Sequence, residues 1–376
     1  MREYDMKKRI LFLIPNLKHG GAEKVLVNLV NNLNPDKYDI TVQTLFDVGI
    51  CKEQIKPHVT YIPGLKFQFR GNSHFFKLFS PELLYRFFVR RKYDVVISYL
   101  EGPTARIAAG CCCPETKTAC WIHTEIMSEQ SLTKGFRSAA EAERLYQRFD
   151  KIVGVSHQVS QAINNYARLE TEPLVLYNTN ETEAIQQAAD IEPENSVFSQ
   201  NHISVCTVGR LIPVKGFDRL LNVHKRLLDE GLKHHIYILG IGEEQSALEQ
   251  QMKSLGIEDS VTLLGFQKNP YQYVSRCDLY VCSSHREGFS TAVTESLIVG
   301  TPVVSTNCSG AKELLGEQDE YGLVVDNSEE GIYQGMKKML SNPELLSHYK
   351  EQAKLRGSFF SRTETVRAVE EMLDSL

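Results

Sequence analysis

Residues 203–228 have the sequence ISVCTVGRLIPVKGFDRLLNVHKRLL, which contains a strand, a loop and a helix in succession. Residues 203–208 are mostly apolar and β-branched, which predicts a buried strand, while the apolar residues of 217–228 recur at helical spacing. The loop between them, residues 209–216, begins and ends with glycine. A buried strand followed by a loop and an amphipathic helix is typical of a parallel sheet that helices cover on both faces.

The same alternation of strands and helices extends along most of the chain. Further strand-like runs lie at residues 9–14, 40–45, 95–98, 118–122, 151–155, 174–177, 235–239, 261–264, 279–282, 302–305 and 322–325. The alternation stops only at residues 181–201, a polar and acidic stretch that we interpret as a linker with a short helix. We therefore expect an α/β protein with two Rossmann-like βαβ domains, residues 1–180 and 202–357, facing across a ligand-binding cleft. A terminal helix within residues 358–376 either belongs to the second domain or packs back on the first.

The composition is that of a folded intracellular protein. Of 376 residues, 42% are hydrophobic and 24% charged, and the longest clean apolar run has far fewer than the roughly 18 residues of a membrane-spanning helix. The basic residues Lys7–Arg9 precede a short apolar run that polar residues soon interrupt, so we expect no signal peptide and a cytoplasmic location. Nine cysteines, an odd number without a C-x-x-C pair, predict reduced thiols rather than disulfides or a zinc site.

The charge differs between the two halves of the chain. Residues 1–180 hold 24 Lys and Arg against 18 Asp and Glu, whereas the remainder holds 18 against 29. The excess of +6 in the first half is too small to indicate a nucleic-acid-binding protein. It suits an anionic membrane surface or a phosphorylated acceptor better.

The strongest local motif is REGFSTAVTE at residues 286–295, which follows the strand at 279–282 and begins a helix. Ser290 or Thr291 can cap this helix, whose first backbone N–H groups then form an anion site. Glu287 and Glu295 could accept hydrogen bonds from hydroxyl groups at opposite ends of a ligand whose phosphates lie at the helix start. The alternative is a capped surface helix with solvated glutamates.

Two loops at other strand ends carry residues suited to a diphosphate. Arg210 and Lys215 follow the strand at 203–208, and two cations opposite a helix N-terminus can clamp a diphosphate. Gly20 and Gly21 follow the first strand and allow a close approach of backbone to ligand, although an ordinary tight turn would use the same residues. A dinucleotide-binding G-x-G-x-x-G motif is absent there, and Gly240-Ile-Gly242 lacks its third glycine.

Together these motifs resemble those of the GT-B-fold glycosyltransferases of the retaining family 4. The resemblance spans nearly the whole chain. It is most specific between residues 208 and 325, where VGR, KG, GIG, EGF and ES occur in the family's order. The residues Gly20-Gly21-Ala22-Glu23 and Trp121-Ile122-His123 match the more variable first half of the family.

The resemblance implies a nucleotide-sugar donor, most simply a UDP-sugar, held mainly by the second domain. It implies that Arg210 and Lys215 bind the diphosphate, that Glu295 binds the ribose and that Glu287 binds the transferred sugar. The loop Gly265-Phe266-Gln267 would line the base, Gly20 and Gly21 would close over the diphosphate, and His123 would lie beside the donor sugar. The candidate catalytic residues are thus Glu287, His123, Arg210 and Lys215, and the remaining donor contacts are Gly288, Phe289, Ser290 and Thr291. Relatives often carry longer aliphatic residues where this chain has Ser290-Thr291-Ala292.

Two further expectations concern the metal and the acceptor. The chain contains no D-x-D motif, and Arg210, Lys215 and a helix dipole could offset the charge of a leaving diphosphate, so we expect neither a metal nor another cofactor. This agrees with the metal independence that the resemblance implies. Glu101, which follows another strand, and His123 are candidate acceptor contacts.

Residues 66–92 have an unusual composition of eight aromatic side chains, seven Lys and Arg, and one Glu. Such a mixture suits a peripheral surface that meets anionic lipid headgroups at the inner face of the cell membrane. The alternative is a cleft segment with its aromatic side chains in the core and its cations in solvent. Base stacking on nucleic acid could use a similar composition, but nothing else in the chain supports it.

The motifs and the resemblance thus predict a transferase that moves a sugar from a nucleotide-sugar donor to an acceptor hydroxyl. The resemblance implies that the acceptor is a glycan or lipid-linked molecule in bacterial surface polysaccharide synthesis. Retention of anomeric configuration is implied by the resemblance alone. The alternatives are an epimerase or phosphorylase with the same fold, and a non-catalytic subunit that binds a sugar nucleotide.

Overall fold

The computed structural model describes residues 7–18, 20–68, 71–193, 198 and 202–376. The chain divides into two compact units. The first extends to Asn180 and also includes Arg362–Leu376, and the second is Glu181–Ser361.

The first unit is built on a parallel sheet of seven strands in the order β3-β2-β1-β4-β5-β6-β7. The strands are β1 Lys8–Ile14, β2 Tyr38–Thr44, β3 Thr60–Ile62, β4 Val95–Ser98, β5 Lys117–Ile122, β6 Lys151–Gly154 and β7 Leu174–Val175. Its helices are α1 Gly21–Asn32, α2 Asn72–Phe76, α3 Pro81–Phe88, α4 Pro103–Ala108, α5 Glu129–Leu132, α6 Ala139–Tyr146 and α7 His157–Ala167, with a 3-10 turn at Cys51–Gln54. The central strand β1 is completely buried from Ile10 to Ile14, as expected for a parallel sheet with helices on both faces.

The second unit contains a parallel sheet of six strands in the order β10-β9-β8-β11-β12-β13. The strands are β8 Ile203–Val208, β9 His234–Leu239, β10 Val261–Gly265, β11 Leu279–Cys282, β12 Val303–Thr306 and β13 Leu323–Val325. The helices are α8 Thr182–Ala189, α9 Phe217–Asp229, α10 Gln245–Leu255, α11 Tyr271–Val274, α12 Thr291–Ile298, α13 Ala311–Leu315, α14 Glu329–Leu340 and α15 Pro343–Phe359, with 3-10 turns at Pro213–Lys215 and Glu258–Ser260. Apolar residues of β8, β9, β11, α9 and α14 form its hydrophobic core.

The strand orders confirm the predicted α/β class with two Rossmann-like domains. In each sheet the first strand of the unit lies in the interior, third in the order, and the fourth strand pairs with it on the side away from the second. The chain therefore leaves the carboxyl ends of these two central strands in opposite directions, which opens a crevice where such folds bind ligands. In the first unit this crevice lies between β1 and β4, and in the second between β8 and β11.

The short helix predicted within residues 181–201 is present as α8, and it packs as part of the second unit. Helix α8 belongs to the second unit, where Ile185 and Ala189 are buried. The side chains of Asn269 and Arg276 donate to the carbonyls of Ala188 and Ala189, at 2.7 and 2.9 Å. These bonds satisfy carbonyl groups at the helix end that would otherwise lack donors, and they attach α8 to the region of α11.

The last helix, α16 Arg362–Asp374, belongs to the first unit. Lys8 Nζ donates to the carbonyl of Leu373 at 2.6 Å, and the hydroxyl of Tyr38 donates to Asp374 at 2.6 Å. Val369 and Leu373 are buried. The sequence left open whether the terminal helix belongs to the second domain or packs back on the first. In the structure it packs on the first unit.

Candidate functional site

An ion pair joins the two loops that leave the central strands of the second unit. Lys215, at the end of the 3-10 turn after β8, donates to Glu287 Oε1 at 2.6 Å. The hydroxyl of Ser284, just after β11, donates to the same carboxylate oxygen at 2.6 Å. The side chains of Lys215 and Glu287 are 22% and 14% exposed, so the pair is largely buried but still meets solvent.

Backbone contacts hold these two loops together. Ser283 Oγ donates to the carbonyl of Lys215 at 2.9 Å, and the backbone N–H of His285 donates to the carbonyl of Val214 at 2.8 Å. Gly216 has φ of 62°, and a Cβ atom there would lie 2.4 Å from the carbonyl oxygen of Ser283. Any other residue would be strained and would push the loops apart. Gly216 therefore allows the close contact that places Lys215 beside Glu287.

Arg219 supports the same loops from α9. Its guanidinium donates to the carbonyl oxygen of Ser283 through Nε at 2.8 Å and Nη2 at 2.6 Å. Nη2 also donates to Asn327 Oδ1 at 2.8 Å, and the Asn327 amide donates to the carbonyl of His285 at 2.8 Å. Sequence reasoning missed Arg219, because an arginine in an amphipathic helix usually points to solvent, whereas this residue is buried.

The charge of Lys215 is secured by its neighbours. Burial by itself lowers the pKa of the ammonium, but the charge and the hydrogen bond of the Glu287 carboxylate act against burial, and the pKa lies above its ordinary value. Lys215 is therefore positively charged at neutral pH. An ammonium group has three protons, so one bond to Glu287 leaves others for an anionic ligand.

The motif at residues 286–295 forms the predicted capped helix. Ser290 is the N-cap of α12, and its side chain accepts a hydrogen bond from the backbone N–H of Val293 at 3.4 Å. Phe289 is buried and its ring lies 5.7 Å from that of Phe360. The first N–H groups of α12, from Thr291 onward, lie close along the chain to Gly288 and Glu287. This arrangement is suited to an anion beside the carboxylate.

Glu295 lies further along α12 and is buried. The hydroxyl of Tyr271, in α11, donates to Glu295 Oε1 at 3.2 Å. A carboxylate has room for several hydrogen bonds, so Tyr271 can orient Glu295 without saturating it. No local sequence signal indicates Tyr271, because it lies 24 positions from its partner in a separate helix.

Arg210 is exposed in the first part of the β8 loop and borders an open pocket of about 620 Å³. The pocket is lined by Arg210, Ile212, Pro213, Val214, Ile241, Gly242 and Glu243. Gly240 at the end of β9 has φ of 147°, and a Cβ there would lie 1.8 Å from the carbonyl oxygen of Gly209. The glycines predicted as a weak nucleotide motif therefore have a structural role in packing two loops together.

The loop predicted to line the base follows β10. The backbone N–H of Gly240 donates to the carbonyl of Gly265 at 2.8 Å, which joins this loop to the end of β9. The side-chain amide of Gln267 donates to the carbonyl of Leu264 at 2.6 Å, and Phe266 is exposed. The structure thus shows an ordered loop with an exposed aromatic ring, and its contact with a base stays a prediction.

In the first unit, three predicted residues lie after neighbouring strands. Gly20 is the N-cap of α1 beyond β1, Glu101 follows β4, and His123 follows β5. Gly21 begins α1, and the preceding His19 lies outside the described residues. Glu101 Oε2 accepts a hydrogen bond from the backbone N–H of His123 at 3.0 Å. The structure therefore brings Glu101 and His123 into direct contact.

The His123 imidazole is neutral at physiological pH. Burial lowers its pKa to about 3. Its ring lies 4.8 Å from that of Tyr99, and the buried Nε2 atom has no hydrogen-bond partner among the described residues. A buried ring nitrogen without a hydrogen-bond partner costs free energy. Such unsatisfied polar atoms are typical of functional sites. His123 is suited to a hydrogen bond with a ligand rather than to supplying charge.

Two properties of the described residues bear on metal binding and on membranes. No three His, Cys, Asp or Glu side chains there are grouped so that they could hold a metal ion. The expected metal independence stays a prediction, because it concerns the reaction with its substrates. Within the same residues, every helix is too short or too polar to span a membrane.

Two family profiles match the chain in succession. The profile described as "Glycosyltransferase Family 4" matches residues 19–181. The profile described as "Glycosyl transferases group 1" matches residues 189–356. Together the two profiles match most of the chain, one in each unit.

Two curated relatives cover different shares of their own chains. An N-acetylgalactosamine-N,N'-diacetylbacillosaminyl-diphospho-undecaprenol 4-alpha-N-acetylgalactosaminyltransferase of Campylobacter jejuni is 35% identical over 228 residues, which are 59% of this chain and 60% of that protein. An uncharacterized glycosyltransferase of Haemophilus influenzae is 24% identical over 352 residues, 93% of this chain and 95% of that one.

A solved structure of Anabaena Alr3699/HepE in complex with UDP-glucose has a TM-score of 0.77 at 21% sequence identity. The match covers 98% of this chain and 100% of that one. At this identity, the similarity supports the fold alone.

Proposed function

The chain belongs to the GT-B glycosyltransferases of family 4, and from that membership we propose that it transfers a sugar from a UDP-sugar to a hydroxyl group of a glycan or lipid-linked acceptor, with retention of anomeric configuration. We place this reaction in bacterial surface polysaccharide synthesis. The observation that carries the proposal is the pair of Lys215 and Glu287, joined at 2.6 Å beside the N-terminus of α12.

This pair can bind two chemically different parts of one donor. The remaining protons of Lys215 and the first N–H groups of α12 suit the oxygens of a diphosphate. Glu287 accepts from Lys215 and Ser284 through Oε1, and its carboxylate can also accept hydrogen bonds from sugar hydroxyls. A phosphate next to a sugar is the arrangement found in a nucleotide sugar.

Two further parts of the second unit suit the nucleoside. Glu295, oriented by Tyr271, can accept hydrogen bonds from the two ribose hydroxyls. The exposed ring of Phe266 can stack on a base. Arg210, exposed at the pocket after β8, would add a second cation to the diphosphate.

We propose a front-face reaction in which the acceptor oxygen forms its bond to the anomeric carbon as the bond to the diphosphate breaks. The departing phosphate oxygen takes the proton of the acceptor hydroxyl. Lys215 and Arg210 then stabilise the charge that develops on the diphosphate, and the protein contributes mainly position and electrostatics. The neutral His123 would contribute a hydrogen bond.

The names of two similar proteins support the choice of donor and acceptor. The Campylobacter relative is named for an acceptor on diphospho-undecaprenol, which supports a lipid-linked acceptor for this chain. The Anabaena protein was solved with UDP-glucose, which supports a UDP-sugar.

A thermal-shift screen with UDP-, GDP- and ADP-sugars tests the donor. A ligand at 100 times its Kd should add roughly 2.7 kcal/mol of stability, and we expect this for UDP-sugars. The matched control is Glu295→Gln, which should reduce the shift. Stabilisation by none of the three classes would contradict the proposal. UDP release that requires an added acceptor would distinguish a transferase from an epimerase of the same fold.

We also propose that the first unit binds an anionic membrane through the exposed residues of 66–92, which we call the aromatic–basic surface. The structure divides this segment, because Phe76, Tyr85 and Phe88 are buried in the core. The exposed apolar side chains are Phe67, Phe75, Leu78, Leu83 and Phe87, and the exposed cations include Arg86, Arg90, Arg91 and Lys92. Phe69 and Arg70, which contribute to the predicted composition, lie outside the described residues.

The charges and the apolar side chains of this surface suit one occupant, an anionic lipid headgroup layer. Cations near such a layer are attracted to it, while exposed aromatic and leucine side chains can insert at the boundary with the acyl chains. An acceptor carried on a lipid would then be reached from the membrane surface.

A further inference from the structure

Arg219 is a buried arginine whose hydrogen bonds to the described part of the chain all go to neutral oxygens. It lies in the first turn of α9. Its Nε and Nη2 atoms donate to the carbonyl oxygen of Ser283 at 2.8 and 2.6 Å, and Nη2 also donates to Asn327 Oδ1 at 2.8 Å. Within the described residues, the guanidinium is thus bonded to a carbonyl and an amide and to no carboxylate.

The buried arginine of the first unit has a different environment. Arg106 bonds twice to the carboxylate of Glu141, at 3.2 and 3.0 Å, so its charge is neutralised where it is buried. The acids nearest in effect to Arg219 are Asp218 and Glu329, which are exposed and act on it without forming an ion pair. Burial outweighs them and lowers the pKa of Arg219. Since an arginine keeps its proton in proteins, the second unit holds a buried positive charge that its own carboxylates do not neutralise.

The contacts of Arg219 place this charge beneath three loops that follow parallel strands. Ser283 lies directly after β11, and Asn327, which lies after β13, donates to the carbonyl of His285 at 2.8 Å. A Cβ atom on Gly216, in the loop after β8, would lie 2.7 Å from Arg219 Nε. The guanidinium therefore adjoins the backbone of the two loops that carry the ion pair of the candidate site.

Holding loops together requires hydrogen bonds but does not require an unneutralised charge. A buried cation without a counter-charge costs free energy, and a carboxylate partner would reduce that cost. The carboxyl ends of the central strands form the edge of the sheet where such folds bind ligands. The diphosphate of the proposed donor would bring negative charge to this edge.

We propose that Arg219 is a positioning residue whose unneutralised charge is balanced by the diphosphate of the bound donor, an assignment that rests on the proposed donor function. It holds the loops that carry Lys215 and Glu287 and adds its field to theirs, without contacting the donor. Free UDP carries about one negative charge more than the diphosphate of a UDP-sugar, so the same field favours departure of the diphosphate. A unit charge acting over about 10 Å at an effective dielectric constant of about 20 changes a binding constant by roughly tenfold.

Asn327→Asp tests the proposal by supplying the missing carboxylate from the protein. Asn327 is exposed, and the new carboxylate would lie beside Arg219 Nη2, where the amide oxygen now lies. Calorimetry with the full chain should show UDP affinity about tenfold lower, because the new carboxylate neutralises the charge that the diphosphate would otherwise balance. Urea unfolding should show stability no lower than that of Asn327→Ala, which loses the same amide donor and gains no ion pair.

Two matched variants control for the lost amide and for the added charge. Asn327→Ala removes the amide of Asn327 without adding charge, and Gln250→Glu adds the same charge at an exposed position of α10. Both should bind UDP nearly as well as the wild type, since an exposed distant charge is screened. Asn327→Asp with the UDP affinity of Gln250→Glu would overturn the proposal. Stability and UDP affinity that fall together in Asn327→Ala would show that Arg219 and Asn327 only hold the loops, and would overturn it as well.

Substitutions of Arg219 itself separate its charge from its hydrogen bonds. Arg219→Lys keeps the charge but lacks the planar fork, whereas Arg219→Gln can donate to the carbonyl of Ser283 and has no charge. We expect Arg219→Lys to retain more UDP affinity than Arg219→Gln, even where urea unfolding shows equal stability. Equal UDP affinity of two folded variants would contradict the role of the charge. If either variant fails to fold, the result for Asn327→Asp decides.

The wild type separates this assignment from the donor function on which it rests. A wild-type protein that binds neither UDP nor GDP overturns both the donor function and the role of Arg219. Wild-type binding of UDP together with undiminished binding by Asn327→Asp overturns the role of Arg219 alone.

Discussion

Among the described residues, each unit has an ion pair that is largely withdrawn from solvent, and these two pairs differ in how many of their polar atoms are hydrogen-bonded to protein. In the first unit, Arg106 and Glu141 are 1% and 9% exposed and bond in two places, at 3.2 and 3.0 Å. The same guanidinium donates to the carbonyls of Phe76 at 3.0 Å and Phe79 at 2.8 Å. Glu141 also accepts from the backbone N–H of Arg137 at 2.6 Å.

The pair of Lys215 and Glu287 in the second unit is more exposed and is joined through a single carboxylate oxygen. Its remaining protons and lone pairs can bind other groups. A buried ion pair whose atoms are all bonded to protein holds neighbouring segments in place. A pair with unused hydrogen-bonding capacity is equipped for a ligand.

The pairs also support different surfaces of the molecule. Arg106 holds carbonyls at both ends of the segment from Phe76 to Phe79, from which Leu78 extends into solvent. It therefore anchors part of the aromatic–basic surface. Lys215 and Glu287 lie at the candidate donor site. Substitutions in the two pairs should consequently affect stability and activity in opposite proportions.

The largest expected effect is on stability, from Arg106→Met. The substitution removes the ion-pair partner of the buried Glu141 and the Arg106 donor to the Phe76 carbonyl, while the Phe79 carbonyl keeps Arg137 as a donor. This should cost about 3–5 kcal/mol of unfolding free energy. Urea unfolding of the full chain measures this loss. Arg144→Met on the same helix as Glu141 is the control, since Arg144 is exposed and should change stability by no more than about 0.5 kcal/mol. Equal losses of unfolding free energy from the two substitutions would show that the pair of Arg106 and Glu141 does not hold neighbouring segments in place.

The same substitution in the other pair, Lys215→Met, should mainly affect the donor. Each charge-assisted hydrogen bond lost to a diphosphate should cost about 1.5–3 kcal/mol, so UDP affinity and turnover should fall by tenfold to about 150-fold. We expect a smaller loss of stability than for Arg106→Met, because Glu287 keeps Ser284 as a donor and meets solvent. Calorimetry with UDP and urea unfolding of the same preparation measure both. A variant with wild-type UDP binding would count against the donor role of Lys215.

The aromatic–basic surface should give an effect of intermediate size. Replacing Arg90, Arg91 and Lys92 with Ser should weaken co-sedimentation with anionic liposomes by about 1 kcal/mol per cation, without loss of UDP binding. Ser at the exposed positions Lys56, Lys134 and Arg144 is the matched control of equal charge, and it should bind nearly as well as wild type. The wild type should release the liposomes at high salt, since exposed charges are screened beyond about 8 Å at physiological ionic strength. Equal binding to neutral liposomes, or none to either kind, would refute the membrane surface.

A smaller effect should separate the two glutamates of the second unit. Glu295→Gln should weaken UDP binding by about tenfold, because the proposed ribose contact is present in free UDP. Glu287→Gln should leave UDP affinity closer to wild type and lower kcat for the UDP-sugar, because it contacts the transferred sugar. Calorimetry and initial rates measure the two quantities. If both variants lost UDP affinity equally, the division of roles would be wrong.

The smallest expected effect is that of chelation. Treatment with EDTA should leave the initial rate nearly unchanged, since Lys215, Arg210 and the start of α12 are proposed to offset the diphosphate charge. A rate that collapses and recovers with Mg²⁺ or Mn²⁺ would show that these groups do not suffice. The site at Lys215 and Glu287 would then need a metal ion to offset the charge of the diphosphate.

Much of this architecture could be predicted from short stretches of sequence. Strand and helix spacing around residues 203–228 predicted the parallel sheets, because a buried strand and an amphipathic helix each leave a local pattern of apolar residues. The cap at Ser290 was similarly local, since its partner Val293 is three residues away. Glu287, Lys215, Glu101 and His123 were found as candidates because polar residues just after parallel strands lie at one edge of the sheet.

The hydrogen-bond partners of these residues are evident only in the folded chain. Lys215 and Glu287 are 72 positions apart, and nothing in either loop shows that their side chains meet. Arg219, Tyr271 and Ser284 support the candidate site through contacts that no local pattern predicts. The same holds for α8, which attaches to the second unit through the side chains of Asn269 and Arg276.

The difference has a physical origin in the range of the interactions. Periodicity, capping and strand-end placement depend on residues within one or two turns of each other, so the order of amino acids specifies them directly. Which charge is buried and which carboxylate has two donors depend on loops that converge from distant parts of the chain. Burial and hydrogen bonding at those meeting points set the charge of Lys215 and the neutrality of His123, and both follow from packing in three dimensions.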